Sequence, residues 1–281
     1  MAAVDAAAVK KLREMTSAGI MDCKSALAEA EGDFDKAATI LREKGIAGAT
    51  KKADRTASDG LIGVYVAGDG KRAAMIEINC ETDFVARNEK MKELANGLAQ
   101  QAANSNVADL AALMAQPYHG DSGKTVEAHI KESIGTMGEN IVPARLVALQ
   151  SDGEIGAYVH TDGKQAALVE ITGDGTEVKE LARDLAMQAV ALKAPYLNRE
   201  SVPADVIEGE KHVYRQQAAG EGKPEAMLDK IAEGRLNKYF QQNTLLEQAF
   251  IKDDKTSVNQ RVKAAGDVTV KSFVRFKVGE A

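Results

Sequence analysis

Apolar and polar residues alternate in two stretches of the chain that are near copies of each other. Residues 60–78 read GLIGVYVAGDGKRAAMIEI and residues 153–171 read GEIGAYVHTDGKQAALVEI, and the two match at 12 of 19 positions. Alternation on both sides of a turn sequence, here Gly68-Asp69-Gly70 in the first copy, predicts a β-hairpin. The chain therefore contains an internal duplication.

The likeness of the two copies continues after the hairpins. A helical pattern, LANGLAQQAA at 94–103, is echoed by LARDLAMQAV at 181–190. A strand pattern at 138–149 is echoed at 266–278. Each copy thus predicts a three-stranded antiparallel sheet with helices on one face, which is an α+β fold. Neither copy alone has enough residues for a large core, so we expect the two to pack as a pair.

The first fifty residues predict a separate helical module. Three short patterns carry it: a helix with Val9, Leu12 and Met15 on its apolar face, a second over 23–31 capped by Asp22, and a third over 34–44. Residues 45–60 lose the apolar periodicity and predict a partly helical linker. We expect a three-helix module at 1–50 and core subdomains at 51–150 and 151–281.

The second copy contains a segment that the first lacks. Pro203 suits the first turn of a helix, and GEGKP at 220–224 separates that helix from another. The pattern predicts an antiparallel helical hairpin over 204–241. Its predicted seam consists of Val206, Val213, Met227, Ile231 and Leu236.

Composition and charge exclude several classes of protein. The chain has 281 residues and a formal net charge of −6, which disfavours nonspecific attraction to a phosphate backbone. Its two cysteines form no CxxC pattern, and no apolar run approaches the length of a membrane span. The N-terminal residues lack a signal-peptide core. We expect a cytoplasmic protein that binds neither nucleic acid directly nor a membrane.

No catalytic constellation is visible in the sequence. The four histidines are scattered, and phosphate-binding loops and nucleophile motifs are missing, so we expect no metal site and no cofactor. Cys80 lies among Glu81 and Asp83, which raise the pKa of a thiol instead of activating it. A buried structural thiol is the favoured interpretation. An enzyme that uses Cys80, Glu81 and Asp83 stays an alternative.

The two copies part directly after the second strand of the hairpin. There the first copy continues into Thr82-Asp83-Phe84-Val85, which the second copy lacks. One interpretation makes Thr82 a helix cap, Asp83 a first-turn anion and Phe84 a core residue. The other makes Phe84 a protruding wedge that inserts into a partner, with Asp83 presenting charge beside it.

Several motifs, in the same order along the chain, resemble those of the translation elongation factor Ts family of bacteria and organelles. They are REMTSAGIMDCKSAL at 13–27, NCETDFVA at 79–86, EGRLNKYF at 233–240 and FVRFKVGE at 273–280. The resemblance implies a ubiquitin-associated-like N-terminal module before the duplicated core. It also implies a guanine-nucleotide exchange factor for elongation factor Tu, without a catalytic site of its own.

The resemblance assigns roles to particular residues. Thr82, Asp83, Phe84 and Val85 match the element that disturbs the Mg²⁺ site of the GTPase. Residues that match family contacts with the GTPase are Gly19, Ile20, Met21 and, more weakly, His160.

The sequence departs from the family pattern in two places. Ile20 replaces a methionine, which keeps an apolar contact but changes its shape. The sequence stops after VGEA at 278–281, so we expect it to lack a C-terminal helix that some relatives add. An adaptor of the ubiquitin-associated type, without exchange activity, is the alternative function.

Overall fold

A computed structural model describes residues 5–16, 18–105, 107 and 109–280. The helices within these residues are α1 (Ala6–Thr16), α2 (Ile20–Glu29), α3 (Phe34–Lys52), α4 (Asp83–Ala86), α5 (Glu89–Ser105), α6 (Leu110–Ala115), α7 (Val126–Met137), α8 (Thr176–Leu192), α9 (Ala204–Gly220), α10 (Glu225–Asn243) and α11 (Val258–Ala264). The strands are β1 (Asp59–Val66), β2 (Arg72–Cys80), β3 (Pro117–Tyr118), β4 (Asp121–Thr125), β5 (Val142–Gln150), β6 (Glu154–Val159), β7 (Gln165–Ile171), β8 (Ala249–Phe250), β9 (Asp253–Ser257) and β10 (Val270–Lys277).

The duplication is visible in the sheets. One three-stranded sheet has the order β1-β2-β5 and another has the order β10-β7-β6, so the second hairpin strand is central in both. In the second copy β6 and β7 pair antiparallel, from Glu154 opposite Ile171 to Val159 opposite Ala166. The predicted α+β fold with two three-stranded sheets is confirmed. The small sheets β3-β4 and β8-β9 were not predicted.

Each copy has its own apolar core. In the first, β2 and α5 supply most buried side chains, among them Ile76, Met91 and Leu98. In the second, β7 and α8 do the same with residues such as Val169 and Leu185. The helix echoed between the copies therefore covers the central strand in both, as the shared sequence requires.

Two predictions about the N-terminal helices are wrong. Asp22 does not cap α2, because Gly19 is the N-cap and Asp22 lies in the first helical turn. The third helix does not end at Lys44, and the linker predicted from residue 45 is instead the second half of α3. In α1, Val9 and Leu12 are buried, whereas Met15 is exposed.

Helix α3 continues through Gly45 because it packs closely against α7. A Cβ built on Gly135 of α7 would lie 2.7 Å from the Cα of Gly45, so the two backbones approach where neither residue has a side chain. Arg42 of α3 pairs with Glu132 of α7 close by. The boundary predicted between residues 50 and 51 falls inside α3, and the division into three domains stays a prediction.

Two compact units are distinguished by their internal contacts. In their described residues, the first comprises Met1–Tyr65, Ala74–Leu149 and Lys277–Ala281, and the second comprises Val66–Ala73 and Gln150–Phe276. Within the first unit, buried Glu77 accepts hydrogen bonds from Arg145 Nε at 2.6 Å and from the Gly279 amide at 2.9 Å. This buried carboxylate ties the last described residues to the first unit.

The helical hairpin of α9 and α10 is present, and its seam differs in part from the prediction. Ala218, Leu228, Ala232 and Phe240 are the buried residues of the two helices, and Val206, Ile231 and Leu236 are partly buried. Val213 and Met227 are exposed and do not belong to the seam.

Candidate functional site

The two copies differ in length between the hairpin and the helix that follows. Their strands lie 93 residues apart, since β2 begins at Arg72 and β7 at Gln165. Their helices lie 87 residues apart, since α5 begins at Glu89 and α8 at Thr176. The first copy thus has six residues more than the second between these points, and α4 lies there. The stretch with Thr82–Val85 is specific to the first copy.

Helix α4 is short and begins with a side-chain cap. Thr82 has extended backbone angles, φ −131° and ψ 157°, and its Oγ1 accepts a hydrogen bond from the Val85 amide at 3.4 Å. Asp83 follows in the first turn, where a negative charge faces the helix N-terminus. The predicted roles of Thr82 as a cap and of Asp83 as a first-turn anion are confirmed.

Phe84 is exposed to solvent over 83% of its surface, the largest fraction among the exposed large apolar residues described. Of the two interpretations of Phe84, the one that makes it a core residue is wrong. Its neighbours hold the helix down instead: Ala86 is buried and Val85 packs against the core of the first unit. Because burying an aromatic ring removes 150 to 250 Å² from water, an exposed ring on an anchored helix is suited to enter a partner.

A carboxylate from a distant part of the chain holds the start of α4. Glu139 Oε2 accepts hydrogen bonds from the amides of Glu81 at 3.0 Å and Thr82 at 2.9 Å, and its Oε1 accepts one from Thr82 Oγ1 at 2.6 Å. Glu139 follows α7, which ends at Met137 and is capped by Gly138 in the left-handed region with φ 84°. Sequence reasoning missed Glu139 because 57 residues separate it from Thr82.

Asp83 forms an ion pair with Arg87, one helical turn further on. The Asp83 and Arg87 side chains approach to 3.1 Å, and both are substantially exposed. An exposed pair of this kind contributes little to stability and is easily exchanged for another partner. The Asp83 carboxylate is therefore available to hydrogen-bond donors of another molecule.

Cys80 is fully buried, as predicted for a structural thiol. Its Sγ donates a hydrogen bond to the carbonyl oxygen of Thr82 at 3.2 Å. A buried thiol that donates to the backbone is not presented to a substrate. The geometry thus disfavours the alternative enzyme, whose nucleophile would be Cys80.

The hydrogen bonds and charges around the Glu81 carboxylate can be tested by changing the pH. The Asn140 amide, 2.7 Å from Glu81 Oε1, lowers the pKa of Glu81 most, partial burial opposes this, and Arg55 lowers the pKa further. A lowered pKa in the folded state gives stability that is present above the ordinary value of 4.5 and is lost as the pH falls below it. When the pH is lowered below that value, we expect the free energy of unfolding to fall less in Glu81→Gln than in the wild-type protein, as measured by urea unfolding. An unchanged acid dependence would contradict this.

The residues matched to the N-terminal contact lie together at the start of α2. Gly19 caps the helix, and Ile20 and Met21 in its first turn are exposed over 56% and 72% of their surfaces. Exposed Met15 of α1 is a further apolar residue of this module, and its place in an apolar pattern hid its exposure from sequence reasoning.

His160 belongs to the second compact unit, whereas the other candidate residues belong to the first. It directly follows β6 in the hairpin turn, where its amide donates to the Gln165 carbonyl at 2.8 Å. Its Nδ1 lies 3.2 Å from Asp162 Oδ1. The turn holds the imidazole at the surface, partly exposed.

Two kinds of feature are absent from the part of the chain that the structure describes. Across the described residues, no three or more His, Cys, Asp or Glu side chains are grouped so that they can hold a metal ion. The described helices include none that is long and apolar enough to cross a membrane.

Fold and site together define an α+β protein with a repeated sheet-and-helix unit, one copy of which presents an aromatic ring on an inserted helix. A family model described as Elongation factor TS matches residues 81–280. Curated relatives named Elongation factor Ts include those of Clostridium botulinum (strain ATCC 19397 / Type A), 43% identical over 99% of this chain and 93% of the relative, and of Aquifex aeolicus (strain VF5), 44% identical over 96% of each. The chain belongs to the elongation factor Ts family, which is a family of translation elongation factors.

Proposed function

We propose that the chain is a guanine-nucleotide exchange factor that binds elongation factor Tu in the cytoplasm, displaces Mg²⁺ and promotes GDP release. The observation that carries the proposal is the exposed ring of Phe84 on a helix that only the first copy has. Membership of the elongation factor Ts family supports elongation factor Tu, a GTPase, as the partner.

The mechanism is an argument from linked equilibria. An exchange factor speeds GDP release when it binds the nucleotide-free GTPase more tightly than the GDP-bound form. Mg²⁺ is the largest local charge that offsets the repulsion of the phosphates, so its loss weakens the hold on GDP. No covalent step on this chain is required, which agrees with the buried, hydrogen-bonded state of Cys80.

Within this proposal, each residue of the Thr82–Val85 element has a separate role. Phe84 inserts between elements of the GTPase near the phosphate site and shifts them. Asp83 leaves its exchangeable pair with Arg87 and competes for hydrogen bonds that position the Mg²⁺ shell. Thr82 caps the helix and Val85 packs against the core, so the two keep Asp83 and Phe84 in place.

The remaining contacts supply affinity. Exposed Ile20 and Met21, which follow Gly19, provide an apolar surface for the GTPase on the module proposed to span residues 1–50. His160 at the turn of the second hairpin adds a polar contact from the second unit. An adaptor without exchange activity would use the first surface alone and would leave Phe84 without a role.

One assay tests the proposal directly. Fluorescent GDP bound to purified elongation factor Tu is chased with excess GDP, with and without this protein. We expect the protein to raise the release rate. Binding without any change in that rate would favour the adaptor, and the absence of binding would reject both functions.

Asp83→Ala tests displacement of the ion. We expect it to slow stimulated GDP release in the presence of Mg²⁺ and to have a smaller effect when Mg²⁺ is chelated, because the ion it helps to displace is already gone. Arg87→Ala is the matched control, since it removes the ion pair but keeps the Asp83 carboxylate. An Asp83→Ala defect of equal size with and without Mg²⁺ would rule out this role.

A further inference from the structure

The residues directly after the second hairpin strand are held by different hydrogen bonds in the two copies. In the second copy, Thr172 and Thr269 hold each other: the Thr172 amide donates to the Thr269 carbonyl at 2.8 Å, and the Thr269 amide donates to Thr172 Oγ1 at 2.7 Å. No carboxylate takes part in these two bonds. In the first copy, the carboxylate of Glu139 binds the backbone there.

The repeat identifies the counterpart of Glu139. Strands β5 and β10 begin 128 residues apart, at Val142 and Val270, and the same spacing places Asp267 opposite Glu139. Asp267 is an exposed residue, in contrast to the partly buried Glu139. Both copies have an acidic residue here, but only the copy that contains α4 uses it to bind the preceding turn.

We propose that Glu139 is a positioning residue for exchange: its carboxylate fixes the start of α4 and thereby holds Phe84 in the orientation that enters the GTPase. The inference rests on the proposed function and extends it to a residue outside the Thr82–Val85 element.

The chemistry of Glu139 suits this role. An ionised carboxylate only accepts hydrogen bonds, and here it meets three donors, the amides of Glu81 and Thr82 and the hydroxyl of Thr82. Hydrogen bonds to a charged acceptor are stronger than neutral ones. The Thr82 hydroxyl donates its hydrogen bond to Glu139. The lone pairs of Thr82 Oγ1 can therefore accept the hydrogen bond from the Val85 amide inside α4.

Glu139 is itself held by a reciprocal contact. The next residue, Asn140, is buried and donates its amide to Glu81 Oε1 at 2.7 Å, while the Glu81 amide donates to Glu139. The Asn140 side chain also donates to the carbonyls of Ala53 at 3.2 Å and Arg55 at 2.8 Å. The carboxylate is therefore fixed before any partner binds, as pre-organisation of a binding element requires.

Glu139→Gln tests the inference because it keeps the shape and removes the charge. In the free protein, NMR-detected hydrogen exchange at the amides of Glu81 and Thr82 should accelerate about tenfold or more, since the charged acceptor is lost. Stimulated GDP release should fall about tenfold, since Phe84 no longer has a fixed orientation. Asp267→Asn, the matched control in the second copy, should change neither the exchange of these amides nor GDP release.

A combined variant separates positioning from general damage. If Glu139 acts only by positioning α4, adding Glu139→Gln to a protein that already carries Asp83→Ala and Phe84→Ala should slow GDP release no further, whereas independent effects would multiply. Multiplying effects, or unchanged release in Glu139→Gln, would overturn the inference. Glu139→Asp keeps the charge on a shorter side chain and serves if Glu139→Gln fails to fold; normal release with this variant, despite accelerated exchange of the Glu81 and Thr82 amides, would equally overturn it. A wild-type protein that does not stimulate release would refute the proposed function instead, while the amide exchange would still report on the anchoring.

Discussion

Replacing Phe84 by alanine is expected to slow stimulated GDP release from elongation factor Tu by an order of magnitude or more and to leave the melting temperature nearly unchanged. The ring is exposed over 83% of its surface, so its removal uncovers little and leaves no cavity. Truncation of a buried phenylalanine would instead cost about 3 to 5 kcal/mol. Melting temperature and GDP release measured on the same variant separate the two situations.

Two further variants calibrate the Phe84 experiment. Phe250→Ala removes a buried ring of the second unit and should lower the melting temperature clearly. Leu192→Ala removes an exposed apolar side chain outside the proposed site and should change neither stability nor release. Normal release with Phe84→Ala would refute the role of the ring as a wedge.

The sequence predicted the repeated part of the fold well because two physical signals coincide there. Alternating apolar residues define the strands, and the same alternation occurs twice at one spacing. The hairpins β3-β4 and β8-β9 escaped prediction because their strands are as short as two residues and mostly polar. Such strands carry no periodic apolar signal.

The course of α3 was mispredicted because glycine has two uses that a sequence does not distinguish. At Gly45 the expected use was to end a helix. The observed use is to let α3 approach α7 at Gly135, a contact between residues 90 positions apart in the chain. Tertiary packing decides between the two, and propensity alone cannot.

The candidate site was predictable as far as its chemistry is local. Thr82 as a cap and Asp83 in the first turn follow from short-range hydrogen bonding and the helix dipole. Whether Phe84 points to the core or to solvent depends on the course of the inserted helix, which periodicity over four residues cannot fix. The only sequence signal for Glu139 is the repeat, in which an acidic residue follows Gly138 in the first copy and Gly266 in the second.

The repeat also predicts a pair of positions where no side chain fits. A Cβ built on Gly63 of β1 would fall on the backbone of Ala95 in α5, 2.8 Å from the Cβ of Ala95. In the second copy, a Cβ on Gly156 of β6 would fall on the backbone of Ala182 in α8, 2.6 Å from the Cβ of Ala182. Each helix thus rests directly on the backbone of the first hairpin strand.

Gly63→Ala and Gly156→Ala are therefore expected to destabilise the protein by similar amounts, about 2 to 3 kcal/mol or more, because the obstructing atoms belong to backbone that cannot rotate away. Urea unfolding of each variant gives the loss. Gly234→Ala is the control of opposite sign: nothing lies within 4 Å of a Cβ at this position in α10, so a better helix former should stabilise by about 0.5 to 1 kcal/mol. Wild-type stability in Gly63→Ala or Gly156→Ala would show that the helix can move off the strand, and a large loss in only one would show that the two copies no longer share this contact in solution.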